Sequence, residues 1–179
     1  MQIVDRQAFI NIREVFFPPF KVGVEAGALS LMTAHNELNG IPCHTNEWLM
    51  TDVLRGEWGF EGLLVTDWGS SVDRIPGLYN GTDLEMPSSA RINTNKIIAA
   101  VNSGELDIAV LDKRVDTVVD LIIKSKPALA KKHTYDVEAH HAIARKVAEG
   151  SMVLLKNNDS ILPLKKGQKV AVIGELAAS

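Results

Sequence analysis

The segment at residues 62–69, Gly-Leu-Leu-Val-Thr-Asp-Trp-Gly, constrains the fold of this chain more than any other part of it. Its apolar run is short and is bounded by glycine and polar residues, which is typical of a buried strand in a parallel sheet. Ligands bind at the carboxyl ends of such strands, so Asp67 is expected beside a binding crevice, with the flat Trp68 ring next to it. A second interpretation, in which Asp67 caps a following helix, is left open by this segment alone.

Helices and strands are predicted to alternate along most of the chain. The helices are expected at about 5–17, 46–55, 94–101 and 107–124, the strands at 28–33 and 62–66, and a short strand or rim segment at 81–86. Pro18-Pro19 and Pro127 are expected to end the helices before them. Asn46 is the predicted N-cap of the second helix, with Gly56 beyond its end. This order predicts βα units and a mostly parallel sheet.

The helix at 107–124 carries apolar residues at helical spacing, which predict the side that it buries. They are Ile108, Leu111, Val115, Val118 and Ile122. Beyond this helix the lysines crowd together and the apolar periodicity weakens, which indicates a boundary. A further helix at about 137–149, capped by Asp136, is expected next, and the apolar segments 160–164 and 169–174 resemble the opening of another α/β domain. One strand followed by a single glycine does not make a dinucleotide-binding motif.

Composition excludes several classes of partner. The 179 residues carry a net charge of -3, which gives no electrostatic reason to expect nucleic acid or an anionic membrane as a partner. No apolar run is long enough to span a membrane, and the first residues show no signal-peptide pattern. The single cysteine, Cys43, excludes an internal disulfide and a cysteine cluster for zinc, and it leaves the compartment open.

Five further segments accompany residues 62–69 along the chain. They are residues 28–42 (ALSLMTAHNELNGIP), 46–50 (NEWLM), 54–62 (LRGEWGFEG), 80–87 (NGTDLEMP) and 151–157 (SMVLLKN). Together these motifs resemble, in content and order, the glycoside hydrolases of family 3, the β-glucosidase and β-xylosidase type, from about Arg6 onward. The resemblance implies an α/β fold with the latter part of a TIM-type (β/α) barrel at 1–125 and a linker at 126–136. The beginning of a second domain, an α/β sandwich, is then expected at 137–179.

The resemblance also implies a role for Asp67, as the nucleophile of a retaining glycosidase that acts on terminal β-D-glucosyl residues. Such enzymes use two carboxyl groups about 5–5.5 Å apart, one as nucleophile and one as acid and then base. Trp68 would lie at the sugar-binding subsite, and its alternative is a tryptophan of the core. His35 stands where the family commonly has tyrosine near the nucleophile, and its role is left open. Met32 is either a wall of the subsite or part of the core packing.

Of four other carboxylates, Asp83 and Glu85 are interpreted as supporting residues. Asp83 and Glu85 alternate along an extended segment, so both could line the mouth of the site, although the family does not draw its acid/base from this stretch. Glu37 and Glu47 are expected in a loop or at the start of a helix. None of the four is therefore assigned to catalysis.

Neither a metal nor a cofactor is expected. The adjacent His140 and His141 face different directions on a helix and make a poor metal pair. No other group of histidine, cysteine or carboxylate side chains has convincing metal-ligand spacing.

Several residues that the family needs are expected outside this chain. The general acid/base glutamate is expected beyond Ser179, and a lysine-histidine pair with acidic and arginine sugar contacts is expected before Met1. The chain is therefore expected to be a partial one that lacks full activity by itself. Its substrate would be a β-linked oligosaccharide or an aryl or alkyl β-glucoside, with β-xyloside as the alternative. A periplasmic or extracellular location is in keeping with the family, and no oligomeric state is predicted.

Two other functions are alternatives to the glycosidase. An inactive remnant that serves as a binding or assembly module has the same motifs, and the flanking genomic sequence would separate it from an enzyme. An aspartate-nucleophile phosphatase would need a second aspartate two residues after Asp67, where Gly69 stands, and a phosphate-binding loop that the sequence lacks. The phosphatase is disfavoured on both grounds.

Overall fold

The structure is a computed structural model that describes residues 10–71, 73–132 and 134–177. The chain divides into two compact units, Met1–Lys131 and Lys132–Ser179. The division into barrel, linker and sandwich domain at 1–125, 126–136 and 137–179 stays a prediction. Residues 5–9, where the first helix is predicted to begin, lie outside the described residues.

The first helix runs further than its sequence predicts. A π-helical turn, Ile12–Phe16, leads directly into helix α1, Phe17–Glu25. Pro18-Pro19 lie in the first turn of α1. The N–H groups of a first turn have no intrahelical acceptor, so the missing N–H donors of the two prolines cost little. The prediction that these prolines end the helix is therefore wrong.

The two predicted parallel strands are confirmed. Strand β1, Ser30–Met32, is followed by the short hairpin of β2, Glu37–Leu38, and β3, Ile41–Pro42, and then by a 3-10 turn, Cys43–Thr45. Strand β4, Leu63–Val65, pairs with β1 in parallel, with Ser30 opposite Leu63 and Met32 opposite Val65. Leu84 adds a parallel bridge to Val65, where the rim segment is predicted. Glu37 lies in β2 and not in a loop or at a helix start, which corrects that expectation.

Five helical segments follow β3 in the part of the chain that the structure describes, besides short 3-10 turns. They are the π-helix Trp48–Glu57 and the α-helices α2, Arg74–Tyr79; α3, Ile92–Ser103; α4, Ile108–Leu129; and α5, Val137–Ser151. The Asn46 Oδ1 atom accepts the Leu49 N–H at 3.1 Å, which is the predicted capping contact. Gly56 was predicted to lie beyond the end of this helix, and that prediction is wrong because Gly56 lies inside the π-helix. Helix α2 was not predicted, because it is a single short turn-rich segment with Pro76 and Gly77 inside it.

Helix α4 departs from the prediction at two places. It continues through Pro127 to Leu129, so the proline does not end it; only the last turn follows Pro127, and little helix is left to disrupt. Its inner side is also rotated from the predicted stripe, because Ile108, Val115 and Ile122 are 52%, 49% and 54% exposed while Arg114 is buried. Arg114 is turned inward by a buried ion pair, which an apolar pattern does not reveal.

Two apolar clusters form the core of the first unit. One consists of Met50, Leu54, Phe60 and Leu64, and so joins the π-helix to β4. The other consists of Leu78, Ala100 and Leu106, and joins α2 to α3 and the start of α4. Strand β4 is thus fixed from one side by packing, which holds the residues that follow it in place.

The second unit is described by itself. Its helix α5 is the predicted one, and the Asp136 Oδ1 atom accepts the Ala139 N–H at 3.0 Å as the predicted cap. The segment 169–174, which the sequence predicts to include a strand, forms none, and residues 134–177 contain no strand at all. A strand needs a hydrogen-bonded neighbour, and these residues supply none to one another.

Candidate active site

The carboxyl ends of three parallel segments meet at one edge of the small sheet. Beyond β1, the Thr33 N–H donates to the Val65 carbonyl at 2.8 Å. Beyond β4, the Thr66 N–H donates to the Leu84 carbonyl at 3.0 Å. The residues that come next in each segment therefore emerge at the same edge, which is where parallel sheets place their ligand sites.

Asp67 is the first residue past the hydrogen-bonded end of β4, and it is half-buried. Its N–H lies 3.4 Å from Thr33 Oγ1, and its carbonyl accepts the Ser70 N–H at 3.1 Å and the Ser70 hydroxyl at 2.9 Å. Its Oδ1 atom accepts the Trp68 N–H at 2.6 Å. The turn at 67–70 thus fixes the main chain of Asp67 and one of its carboxylate oxygens.

The two carboxylate oxygens of Asp67 differ in their contacts. Among the described residues Oδ2 has no hydrogen-bond partner, and none of their ion pairs involves Asp67. A half-buried carboxylate with one oriented and one open oxygen can attack a carbon centre or accept a hydrogen bond from a ligand.

The three other predicted site residues lie close to this edge. Trp68 is 54% exposed, so its indole is not part of the core and is open to a ligand. His35 is exposed, and its Nε2 atom lies 3.9 Å from the position that a Cβ at Gly69 would occupy. Met32, the last residue of β1, is 52% exposed and lines an apolar groove of about 430 Å³ together with Phe16 and Leu49. The structure therefore brings His35 beside the 67–70 turn and leaves Met32 facing the groove.

Asp83 lies inside the protein, which corrects the expectation that it lines the mouth beside Glu85. Its side chain is 0% exposed, and its Oδ2 atom accepts the Leu64 N–H at 2.7 Å and Arg55 Nη2 at 2.9 Å. Its Oδ1 atom accepts Arg114 Nη1 at 3.1 Å. Burial raises the pKa of the Asp83 carboxyl, while the Leu64 N–H and the two guanidinium groups act in the opposite direction.

Glu85 points to a different neighbour. Its Oε1 atom accepts Asn93 Nδ2 at 2.6 Å, and its Oε2 atom accepts the Ser89 hydroxyl at 3.4 Å. It therefore joins the rim segment to the start of α3. Asp83 and Glu85 are both supporting residues, as predicted, although they support different elements.

Sequence reasoning missed the arginines that hold this region together. Arg55 also donates to the carbonyls of Phe60, Gly62 and Gly81, at 3.3, 3.3 and 2.7 Å. The buried Arg74 donates to the Asp83 carbonyl at 3.3 Å. The signal that could have found Arg114 is its place one helical turn from Leu111 and Val118, where a lone cation on an apolar side implies a buried carboxylate partner.

Within residues 10–71, 73–132 and 134–177, no group of three histidine, cysteine or carboxylate residues could hold a metal ion. His140 stacks against Tyr135 with ring centroids 5.4 Å apart. No helix in the described part of the chain is both long and apolar enough to cross a membrane.

Comparison with curated proteins gives a β-glucosidase and an arabinopyranosidase among the relatives of this chain. Thermostable β-glucosidase B of Acetivibrio thermocellus is 43% identical over 173 residues, which cover 96% of this chain and 22% of that protein. An exo-α-(1→6)-L-arabinopyranosidase of Bifidobacterium breve is 41% identical and is matched over 93% of this chain and 23% of its own length. The chain thus spans between a fifth and a quarter of the length of these relatives.

Solved structures agree with the sequence comparison. A family 3 β-glucosidase of Bifidobacterium adolescentis superposes with a TM-score of 0.69 at 40% identity, over 86% of this chain and 23% of that one. β-Glucosidase 3B of Thermotoga neapolitana, solved in complex with glucose, gives a TM-score of 0.68 at 34% identity over the same shares. Residues 4–121 match the model described as the glycosyl hydrolase family 3 N-terminal domain. By its sequence and by its fold, the chain belongs to glycosyl hydrolase family 3.

Proposed function

We propose that this chain carries the nucleophile and part of the sugar subsite of a retaining β-glycosidase that acts on terminal β-D-glucosyl residues. The observation that carries the proposal is the half-buried Asp67, which follows a parallel strand and keeps one carboxylate oxygen open. The β-glucosidases among its relatives support glucose as the sugar.

In the proposed reaction, an oxygen of Asp67 attacks the anomeric carbon of the substrate. The new bond to Asp67 forms as the bond to the leaving-group oxygen breaks, and an acid gives that oxygen a proton. Water then attacks the glycosyl-enzyme ester, the same group now acts as base, and the anomeric configuration is retained. Because Oδ1 is oriented by the Trp68 N–H, the open Oδ2 is the proposed attacking atom.

The second carboxyl group is placed outside the described residues of this chain, as the family resemblance implies. Asp83 is not a substitute, because both of its oxygens are occupied by the Leu64 N–H and two arginines. Glu85 is occupied by Asn93 and Ser89.

The neighbours of Asp67 would bind the sugar. The exposed indole of Trp68 offers a flat apolar face against which the C–H groups of a pyranose can pack. His35, beside the 67–70 turn, can donate a hydrogen bond to a sugar hydroxyl or accept one from it. Met32 would form the apolar wall where the groove meets this edge.

The proposed architecture follows the same family. The two strands and the Leu84 bridge would belong to the later part of a (β/α) barrel, and the second unit would open the α/β sandwich domain. The parallel register of β1, β4 and Leu84, with helices between them, supports the first part of this proposal.

A second candidate sugar is an arabinopyranosyl residue. Its support is the Bifidobacterium breve relative, whose name states an exo-α-(1→6)-L-arabinopyranosidase and whose identity to this chain is nearly that of the first relative. Parallel assays with aryl β-glucoside, aryl β-xyloside and aryl α-L-arabinopyranoside would rank the three sugars.

The nucleophile is tested by covalent labelling. A dinitrophenyl 2-deoxy-2-fluoro-β-glucoside has a leaving group that needs little acid assistance, so it should label Asp67 even where the acid/base is lacking. The 179-residue chain is incubated with this reagent, and the labelled peptide is identified by mass spectrometry. A chimera, in which the chain replaces the matching part of the Acetivibrio thermocellus enzyme, supplies the rest of a site for turnover assays.

We expect Asp67→Asn to abolish labelling and nearly all turnover of the chimera. The matched control is Asp73→Asn, which changes a carboxylate in the same loop. Asp73 caps α2 by accepting the Ile75 N–H at 3.2 Å, and asparagine caps a helix equally well. Labelling at a carboxylate other than Asp67 would remove Asp67 from the proposed role.

A further inference from the structure

We infer that Asp83 is a positioning residue, which fixes the end of β4 and through it the direction of Asp67. The catalytic consequence of this inference rests on the proposed function, whereas its structural part does not. Asp83 lies 16 positions after Asp67 along the chain, yet its buried carboxylate contacts the strand that carries Asp67.

The Asp83 carboxylate takes the place of a main-chain acceptor beside β4. The Leu64 N–H points away from β1, toward the segment 82–86, where it meets no main-chain carbonyl and is accepted by Asp83 Oδ2 at 2.7 Å. The Leu64 carbonyl accepts the N–H groups of Asp83 at 2.9 Å and of Leu84 at 3.2 Å. Side chain and main chain of the 83–84 segment therefore satisfy both polar groups of Leu64, at a point where the strand is buried.

Hydrogen bonds of the same segment connect the contact at Leu64 to the end of β4, next to Asp67. Two residues beyond Leu64, the Thr66 N–H donates to the Leu84 carbonyl at 3.0 Å, and Thr66 Oγ1 accepts the Met86 N–H at 3.0 Å. The segment 83–86 thus runs alongside Leu64 and Thr66, and Asp67 is the next residue. A displacement of Asp83 would be transmitted over this short stretch, in which Leu64 and Thr66 are buried.

Two positive charges lie against the Asp83 carboxylate. The guanidinium groups of Arg55 and Arg114 lie 2.9 and 3.1 Å from its two oxygens, and they bring the π-helix and α4 to the same point. Removing the carboxylate would leave two largely buried cations without their partner, as well as an unpaired Leu64 N–H. The contact therefore orients β4 relative to two helices at once.

Three variants separate this role from a general loss of stability. Asp83→Ala removes the acceptor and the charge, whereas Asp83→Asn keeps an oxygen that can accept the Leu64 N–H. Glu85→Gln is the matched control, because Glu85 belongs to the same segment but contacts α3, and glutamine keeps an oxygen for Asn93. Circular dichroism at each temperature used establishes that each variant is folded.

Hydrogen exchange of the 179-residue chain gives the first measurement. In Asp83→Ala, peptides covering residues 60–70 should exchange about tenfold faster than in the wild type, with Asp83→Asn between the two. Glu85→Gln should leave these peptides unchanged. Equal exchange of these peptides in Asp83→Ala and the wild type would overturn the inference. If Asp83→Ala does not fold, Asp83→Asn against Glu85→Gln makes the same comparison.

The rate of labelling by the 2-fluoro glucoside gives the second measurement. We expect the saturating labelling rate to fall about 10²-fold in Asp83→Ala and by a smaller factor in Asp83→Asn, with the half-saturating concentration little changed, because misplacing a reacting group by about 1 Å costs that much. Saturating rates of both variants equal to that of the wild type would overturn the positioning role. A wild type that is not labelled at Asp67, together with faster exchange in Asp83→Ala, would refute the proposed function and leave the structural role of Asp83 standing.

Discussion

Gly62 stands where β4 begins, and adding a single methyl group there should disturb the strand that leads to Asp67. A Cβ at this position would lie 2.5 Å from the Leu29 carbonyl oxygen and 2.7 and 2.8 Å from two atoms of the Phe60 ring. Ordinary contacts of this kind are 3.4–4 Å, so the nearest atom would have to move by about 1 Å. That atom belongs to the main chain and cannot rotate away as the end of a side chain can.

The displaced oxygen already has a partner. The Leu29 carbonyl accepts the Leu63 N–H at 3.0 Å, which is the first hydrogen bond between the β1 and β4 segments. Overpacking a well-packed site typically costs about 1–3 kcal/mol, and weakening this hydrogen bond adds about 1 kcal/mol. Gly62→Ala should therefore lower the free energy of unfolding by about 2–4 kcal/mol and the melting temperature by about 10 °C.

Urea and thermal unfolding, followed by circular dichroism, measure this change. The matched control is Gly23→Ala in α1, where a Cβ would meet no atom within 4 Å. Alanine favours a helix over glycine by about 1 kcal/mol, so this control should be neutral or stabilising. A Gly62→Ala protein as stable as the wild type would show that the start of β4 is not packed as described.

Two other changes test contacts elsewhere in the first unit. Burial and the nearby Arg74 charge lower the pKa of the fully buried His44. The contribution of neutral His44 to stability is therefore complete above the unfolded pKa of about 6.5, and it is lost as the pH falls below that value. Melting temperatures between pH 7.5 and 5.5 should consequently fall less in His44→Gln than in the wild type, while His35→Gln, which removes an exposed histidine, should behave like the wild type. Asp107 Oδ1 accepts the Ala109 N–H at 2.9 Å at the start of α4. Asp107→Ala should therefore lower the free energy of unfolding, measured by urea titration, by about 1 kcal/mol. Asp107→Asn keeps a capping oxygen and should leave this free energy unchanged.

Specific results for the variants at positions 44 and 107 would contradict these two predictions. The same pH dependence of melting in His44→Gln and the wild type would mean that His44 takes up its proton without hindrance in the folded protein. Equal stability of the alanine and asparagine variants at position 107 would mean that the capping contact contributes nothing.

Local patterns predicted much of this fold. The strands at 28–33 and 62–66 and the helix after Asp136 lie where apolar runs and capping residues place them, because both signals act between neighbours in sequence. The hairpin of β2 and β3 had a local signal too. Asn39-Gly40 adopts positive φ angles of 53° and 77°, as a tight hairpin turn requires, and the pair was not used.

The wrong predictions depended either on where a residue lies within its helix or on partners far away in the sequence. A proline is costly inside a helix but harmless in the first turn, and the sequence around Pro18-Pro19 does not say which position it occupies. The inner side of α4 depends on Arg114, whose partner Asp83 is 31 positions away. The burial of Asp83 could not be read from the alternation of its own segment, because it is set by two arginines on other elements.

The contact between Asp67 Oδ1 and the Trp68 N–H gives position 68 two separate roles, one for its main chain and one for its side chain. The orientation of the carboxylate depends on the main chain at position 68, which every amino acid except proline supplies. The surface beside the carboxylate depends on the side chain at that position, which is exposed and packs little. Substitution at position 68 can therefore alter the shape that a ligand meets while the acid keeps its direction.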